Sequence, residues 1–299
     1  MSDLAKLQQA QKSQKSQDFP KEAASLIREK LKEIKINGEV LGENFQPKIG
    51  LALGSGLGPL IDQMEVYAEF SYEDLPGFFV GKVAGHSGSL VLGKLENIPV
   101  VVMKGRIHFY EGATPEQMRI PIRTLRNLGC EVLLMTNASG SFYEDKGPGS
   151  LIILKDFINM SGRNPLMGPN DDQYGPRFIS MENALDLALR KVMLTEAQAL
   201  GIKLHEGVYV GVSGPMYETP AEIEVYKKLG GDLVGMSTVA DIIVARHCGM
   251  KVICIAAITN FAAGLNPVFL THEEVLENAK LGAGNLIKLI HSALPKLVG

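Results

Sequence analysis

The sequence predicts an α/β fold: a single domain with a mixed, largely parallel central β-sheet flanked by α-helices. Three observations predict it. Short apolar runs recur at Ile49–Leu53, Leu90–Leu92, Val100–Met103, Val132–Thr136, Leu151–Leu154, Val208–Val212, Leu233–Met236 and Val252–Ile258. Several of them are apolar at every position, as strands covered on both faces must be. Helical patterns separate many of the runs, and alternation of strands with helices is the mark of an α/β sheet.

The first 20 residues are rich in Gln, Lys and Ser and lack the apolar core of a signal peptide. They predict a flexible tail, leaving 21–299 as the one domain. The apolar stretch Ile98–Met103 predicts a buried strand that runs into Lys104 and the polar cluster after it. Three helix starts follow one pattern: Thr114-Pro115-Glu116-Gln117, Thr219-Pro220-Ala221-Glu222 and Thr271-His272-Glu273-Glu274. Each places Thr at the N-cap and Glu or Gln three residues on, which is a capping box. A further helix is predicted over 182–200, where Leu185, Ala188, Leu189, Val192 and Met193 have helical spacing and Gly201 stops the run.

With 299 residues, 45% of them hydrophobic, the chain can bury a large core. Its net charge of -3 gives no basic excess for nucleic acid or an anionic membrane. No apolar run approaches the roughly 18–20 residues that span a bilayer. Cys130, Cys248 and Cys254 are odd in number and sit in apolar surroundings, which predicts buried free thiols and a cytoplasmic protein. No Cys/His spacing suits a metal. Arg246 and His247 are expected in a packed helix, and His205 and His291 at the surface.

The chemistry is concentrated after the strand that ends near Met103. In an extended chain Arg106, His108 and Tyr110 share one face, which suits an anion beside a hydroxylated ligand. Gly54-Ser55-Gly56-Leu57-Gly58 follows the first strand and is either a small-anion loop or a tight turn. It is no dinucleotide fingerprint, because position 59 is Pro, and it lacks the Lys of a P-loop. Small or polar residues also follow three other strands, at 137–141, 235–238 and 259–260. Each is compatible with simple turn chemistry. Ligands of α/β sheets bind where strands end and helices begin, so these groups are expected to converge.

Taken together, the motifs resemble the trimeric class of purine nucleoside phosphorylases. The resemblance runs from about Ala23 to the C-terminus. It rests on Gly54–Gly58, Gly85-His86, Gly105–Gly112, Thr136-Asn137-Ala138, Asn164-Pro165-Leu166 with Gly168-Pro169-Asn170, Gly214–Thr219, Gly235–Val239, Val244–Gly249 and Thr259-Asn260. The resemblance implies a phosphate site at Ser55, His86, Arg106, His108, Ser237 and the backbone N–H of Ala138. It implies ribose contacts from Tyr110, Tyr209, Met236 and His272, with Phe178 lent by a neighbouring subunit of a homotrimer. The implied purine contacts are Tyr217, Glu218, Val234, Thr259 and Asn260. Glu111 matches the residue that organises the basic side chains at the phosphate, and the implied catalytic set is Asn260, Glu218, His108 and Glu111. Ser139 and Ser141 depart from the commoner small residues of their loop, and Tyr217 stands where some members have Phe. The implied reaction is reversible phosphorolysis of inosine or guanosine, (deoxy)ribo forms included, to free base and (deoxy)ribose 1-phosphate, in purine salvage. Phosphate is a co-substrate; no metal or organic cofactor is implied. Adenosine-type members have Asp where Asn260 stands, so Asn260 favours 6-oxopurines.

Overall fold

The computed structural model describes residues 18–36, 38–54, 56–81, 88–265 and 271–298, with the side chains of Glu43 and His272 outside the description. Residues 18–31 form helix α1, which sets Ala23, Ile27 and Leu31 into the core at successive turns. Phe19 packs against that core and Pro20 is buried. The domain therefore begins by residue 18, inside the segment expected to be tail; 1–17 lie outside the described residues.

A short ribbon of β1 (Lys35–Ile36) and β2 (Glu39–Val40) precedes the main sheet. That sheet contains β3 (Ile49–Leu53), β4 (Glu65–Ser71), β5 (Ser89–Leu95), β6 (Ile98–Lys104), β7 (Val132–Ser141), β8 (Leu151–Asn159), β9 (Leu204–Gly211), β10 (Leu233–Gly235) and β11 (Lys251–Phe261). Their order is β10-β9-β8-β11-β7-β3-β6-β5-β4, and β10 also pairs with β7. Pairing is parallel across β6–β3–β7–β11 and β8–β9–β10. It is antiparallel where β8 meets β11, where β10 closes on β7, and along the β4–β5–β6 edge. The second contact of β10 joins β7, β11, β8, β9 and β10 into a closed ring of strands.

The ring corrects one expectation. The segments 137–141 and 259–260 are not turns. Both continue their strands, and β7 is long enough to pair with β3 at its start and β10 at its end. A bulge between Ile258 and Asn260 breaks the register of β11 against β7. Bulges re-aim side chains, and this one lies at two of the predicted purine contacts. Strand β4 has no counterpart in the apolar runs, because it is an edge strand whose residues are all exposed or half-buried.

The inner strands are buried on both faces, and alternate residues feed two cores. Val252, Cys254, Ala256 and Ile258 face the core under α1, α3 (Pro115–Leu128) and α6 (Val239–His247). Ile253, Ile255 and Ala257 face the core under α4 (Leu187–Ala199) and α7 (His272–Ala293). A short α2 (Gly58–Ile61) and α5 (Pro220–Lys228) complete the helices named here. Thr114 and Thr219 form reciprocal capping boxes; Thr271 accepts from the Glu274 N–H at 3.2 Å. Helix α4 starts at Leu187 rather than 182, because Asp186 caps it by accepting from the Leu189 N–H at 2.9 Å. Among the described residues no helix is long and apolar enough to cross a membrane, and the three cysteines are buried and free.

Candidate active site

A cleft lies over the C-terminal ends of β3, β6, β7, β10 and β11. It is lined by Leu53, Gly54, Arg106, His108, Tyr110, Ala138, Ser139, Gly140, Tyr217, Glu218, Val234, Met236, Ser237, Thr259 and Asn260. Five strand ends and the loop before α5 thus converge, as the predicted loop positions require.

At one end the groups are donors. Gly105, with φ 92°, turns the chain out of β6, and its carbonyl accepts from the buried Tyr72 hydroxyl at 2.9 Å. The next residue, Arg106, is buried. Its Nη2 donates to Ser237 Oγ at 3.1 Å and its Nη1 to Thr238 Oγ1 at 3.2 Å. Asp241 Oδ2 lies 3.7 Å from Nη1 as a buried counter-charge. Burial pushes the Asp241 carboxyl up from its ordinary range, and Arg106 pulls it back down. His108 Nδ1 lies 2.9 Å from Glu111 Oε2, which also accepts from the His108 backbone N–H at 3.2 Å. Glu111 reaches back because Phe109–Glu111 form a 3-10 turn, closed by Gly112 at φ 96°. The chain is therefore extended only as far as His108, and alternation does not place Tyr110. Instead its ring stacks on the imidazole, 4.8 Å between centroids. Burial, then the Glu111 charge, push its phenol up to about 12.

Ser237 and Thr238 are presented by strain. Thr238 has φ 77° and ψ -54°, and the Val239 N–H donates to the Ser237 carbonyl at 2.8 Å. That is the rarer γ-turn, uncommon for a β-branched residue and the kind of strain that gathers at functional sites. Tyr209 supports it from below: its hydroxyl donates to the Ser237 carbonyl at 3.1 Å and accepts from the Ser237 N–H at 3.4 Å. Tyr209 is fully buried and does not line the cleft. The residue for which the resemblance implies a ribose contact thus props the turn from beneath.

The other end suits a flat polar ring. Asn260 Oδ1 accepts from Thr259 Oγ1 at 2.8 Å, and its Nδ2 donates to the Phe261 carbonyl at 2.9 Å. These bonds fix the amide, leaving one lone pair and one hydrogen for a ligand. Glu218 sits in the loop before α5; burial pushes its carboxyl up, and Glu222 adds to the shift. Tyr217 and Val234 are further lining residues.

Ser55 and His86 lie outside the described residues, as does the His272 side chain, though His272 is the first residue of α7 and Val275 one turn on lines the cleft. Phe178 does not reach this chain's cleft. It is 89% exposed, on a surface shared with Leu166 and Met167. Asn137, Thr238, Asp241 and Tyr72 join the site although the sequence motifs do not mark them as site residues. Asp241 carried a signal, being the one acid in the otherwise apolar start of α6. Tyr72 carried none.

A family model described as the phosphorylase superfamily matches residues 48–295. Purine nucleoside phosphorylase 1 of Geobacillus stearothermophilus is 46% identical, over 84% of this chain and 93% of its own length. The crystal structure of isoform 2 of purine nucleoside phosphorylase from Schistosoma mansoni, in complex with cytosine and ribose-1-phosphate, superposes with a TM-score of 0.84. It is 38% identical and covers 94% of this chain and 96% of that one. A Schistosoma mansoni purine nucleoside phosphorylase in complex with inosine gives a TM-score of 0.83 at 35% identity, over 93% of this chain and 96% of that chain. A further structure of that description holds adenosine. By sequence, by fold and by the residues gathered in its cleft, the chain belongs to the phosphorylase superfamily, among the purine nucleoside phosphorylases.

Proposed function

We propose that this enzyme cleaves 6-oxopurine nucleosides by phosphorolysis, releasing the base and (deoxy)ribose 1-phosphate, as a step of purine salvage. One observation carries the reading: a single cleft holds anion donors at one end and the Glu218–Asn260 pair at the other. Phosphate sits against Arg106, Ser237 and His108, where the guanidinium gives charge-assisted bonds. Glu111 holds the imidazole in place. Tyr110 and Met236 border the sugar between the two ends. As the C1′–N9 bond stretches, the ribosyl group becomes cation-like and negative charge grows on the purine. Asn260 meets that charge by donating to O6 while its carbonyl accepts from a protonated N7. Glu218 accepts from N1–H and, in guanine, from the 2-amino group. Holding phosphate and nucleoside in register supplies up to about 7–11 kcal/mol of the barrier reduction. The reaction needs phosphate as co-substrate and no further cofactor.

The exposed Phe178 supports assembly as a homotrimer in which each ring completes a neighbour's ribose site. Phe178→Ala is expected to raise the nucleoside KM with the phosphate KM unchanged; a wild-type chain that is fully active as a monomer in sedimentation at assay concentration contradicts this assembly. The buried free thiols support a reducing, cytoplasmic setting.

A relative crystallised with adenosine makes adenosine the comparison that decides specificity. Initial rates with inosine, guanosine, adenosine and methylthioadenosine test it. Inosine and guanosine are expected to lead. Adenosine or methylthioadenosine cleaved best removes Asn260 from the specificity role.

A further inference from the structure

The groups behind the donor end form one chain of hydrogen bonds, and their hydrogens run in one direction. Ser139 Oγ donates to Asn137 Oδ1 at 2.9 Å, and Asn137 Nδ2 donates to Thr238 Oγ1 at 2.8 Å. The same nitrogen has Cys254 Sγ, a weak acceptor, at 3.7 Å. Arg106 Nη1 also donates to Thr238 Oγ1, at 3.2 Å. A hydroxyl oxygen has two lone pairs and one hydrogen. Both lone pairs of Thr238 are taken, so its hydrogen turns to Ser237 Oγ, 3.0 Å away. Ser237 Oγ then accepts from Thr238 and from Arg106 Nη2. Its own hydrogen is left for the cleft that it lines.

We propose that Ser139 and Asn137 are positioning residues: acting through Thr238, they fix Ser237 as a hydrogen-bond donor to the bound phosphate. This rests on the phosphorolysis reading above. Asn137 is buried and does not line the cleft, and the Ser139 hydroxyl is engaged with Asn137 rather than with a ligand. Their effect is on polarity. A carboxylate at 137 takes the Thr238 hydrogen for itself. The Ser237 hydrogen is then drawn back to Thr238, and Ser237 presents lone pairs to an anion.

The test is steady-state kinetics with inosine and inorganic phosphate on wild type, Asn137→Asp, Ser139→Ala, Ser237→Ala and the two doubles with Ser237→Ala. Asn137→Asp is expected to raise the phosphate KM about tenfold, the size of one lost buried hydrogen bond, with the inosine KM within about twofold. Ser139→Ala is expected to raise the phosphate KM roughly threefold, since the amide is then free to flip its oxygen toward Thr238 while water in place of the hydroxyl keeps part of the order. In the Ser237→Ala background both effects should shrink toward unity, because the hydrogen they direct is gone. Equal multiplication of the phosphate KM with and without the Ser237 hydroxyl means that charge or packing alone is at work, and overturns the relay. An inosine KM that rises as much as the phosphate KM also overturns it. Should Asn137→Asp fail to fold, the Ser139/Ser237 cycle decides on the same criterion. Wild-type cleavage that ignores phosphate defeats the phosphorolysis reading and the relay with it; phosphate-dependent wild type with additive variants defeats the relay alone.

Discussion

The two ends of the cleft are built differently. At the donor end every described side chain is braced by protein: Arg106 by Ser237, Thr238 and Asp241, His108 by Glu111, and the γ-turn by Tyr209. At the base end Asn260 is pinned by Thr259 and Phe261, but Glu218 stands in a loop and Tyr217 is 38% exposed. The difference teaches a division of labour. In the proposed reaction phosphate is the same in every turnover, so a site for it can be prebuilt. The base varies, so its site keeps acceptor and donor capacity open for the ligand to fill.

That division makes ranked predictions. The largest effect belongs to Arg106→Ala, which removes the buried guanidinium of the donor end and leaves Asp241 without that partner. It is expected to lower kcat/KM by roughly 10²–10³-fold, the cost of losing an oxyanion donor, and by the same factor for every nucleoside. A loss that differs between inosine and guanosine breaks the comparison. Glu218→Ala is expected to cost about 10- to 150-fold in kcat/KM, the range for hydrogen bonds to a charged group. Here the phosphate KM stays put and the loss is larger for guanosine, which offers a second donor. Asn260→Asp should shift preference by about tenfold toward 6-aminopurines, because a carboxylate accepts from N6; an unchanged ratio of adenosine to inosine turnover dismisses the role. Glu111→Gln keeps the shape of the brace but weakens its bonds to His108. A rise of about threefold to tenfold in the phosphate KM is expected, measured at saturating inosine.

The smallest effect is in pH. Glu218 must be ionised to accept from N1–H, and burial favours its neutral form. As pH falls, the carboxylate is lost above the ordinary 4.5. The acid limb of kcat/KM for inosine should begin there and disappear in Glu218→Gln. A limb that survives in that variant belongs to another group.

Much of this molecule was legible in its sequence, for physical reasons. Strands buried on both faces have to be apolar throughout, so β3, β7 and β11 announced themselves. Helix starts need a side-chain acceptor, so Thr114, Thr219 and Thr271 marked theirs. What stayed hidden depends on distant partners. β4 is an edge strand with little to bury, and α1 reaches back into a polar segment through Phe19 and Pro20. Asn137–Ser141 looks like a turn because its residues are small; only the second pairing of β7 with β10 keeps it in a strand. The same limit applied to the cleft. Arg106, His108 and Glu111 stood out as a cluster, whereas Thr238 and Asp241 act through contacts with residues more than a hundred positions earlier. Tyr110 was placed by alternation and is placed in fact by stacking on His108.

In the proposed function the donor end and the base end serve one reaction, in which phosphate breaks the glycosidic bond. The most direct measurement follows hypoxanthine released from inosine by the purified enzyme, with and without inorganic phosphate, while assaying the sugar product. Release is expected only in the presence of phosphate, with one ribose 1-phosphate formed for each base. Equal release without phosphate, with free ribose as the product, would contradict it.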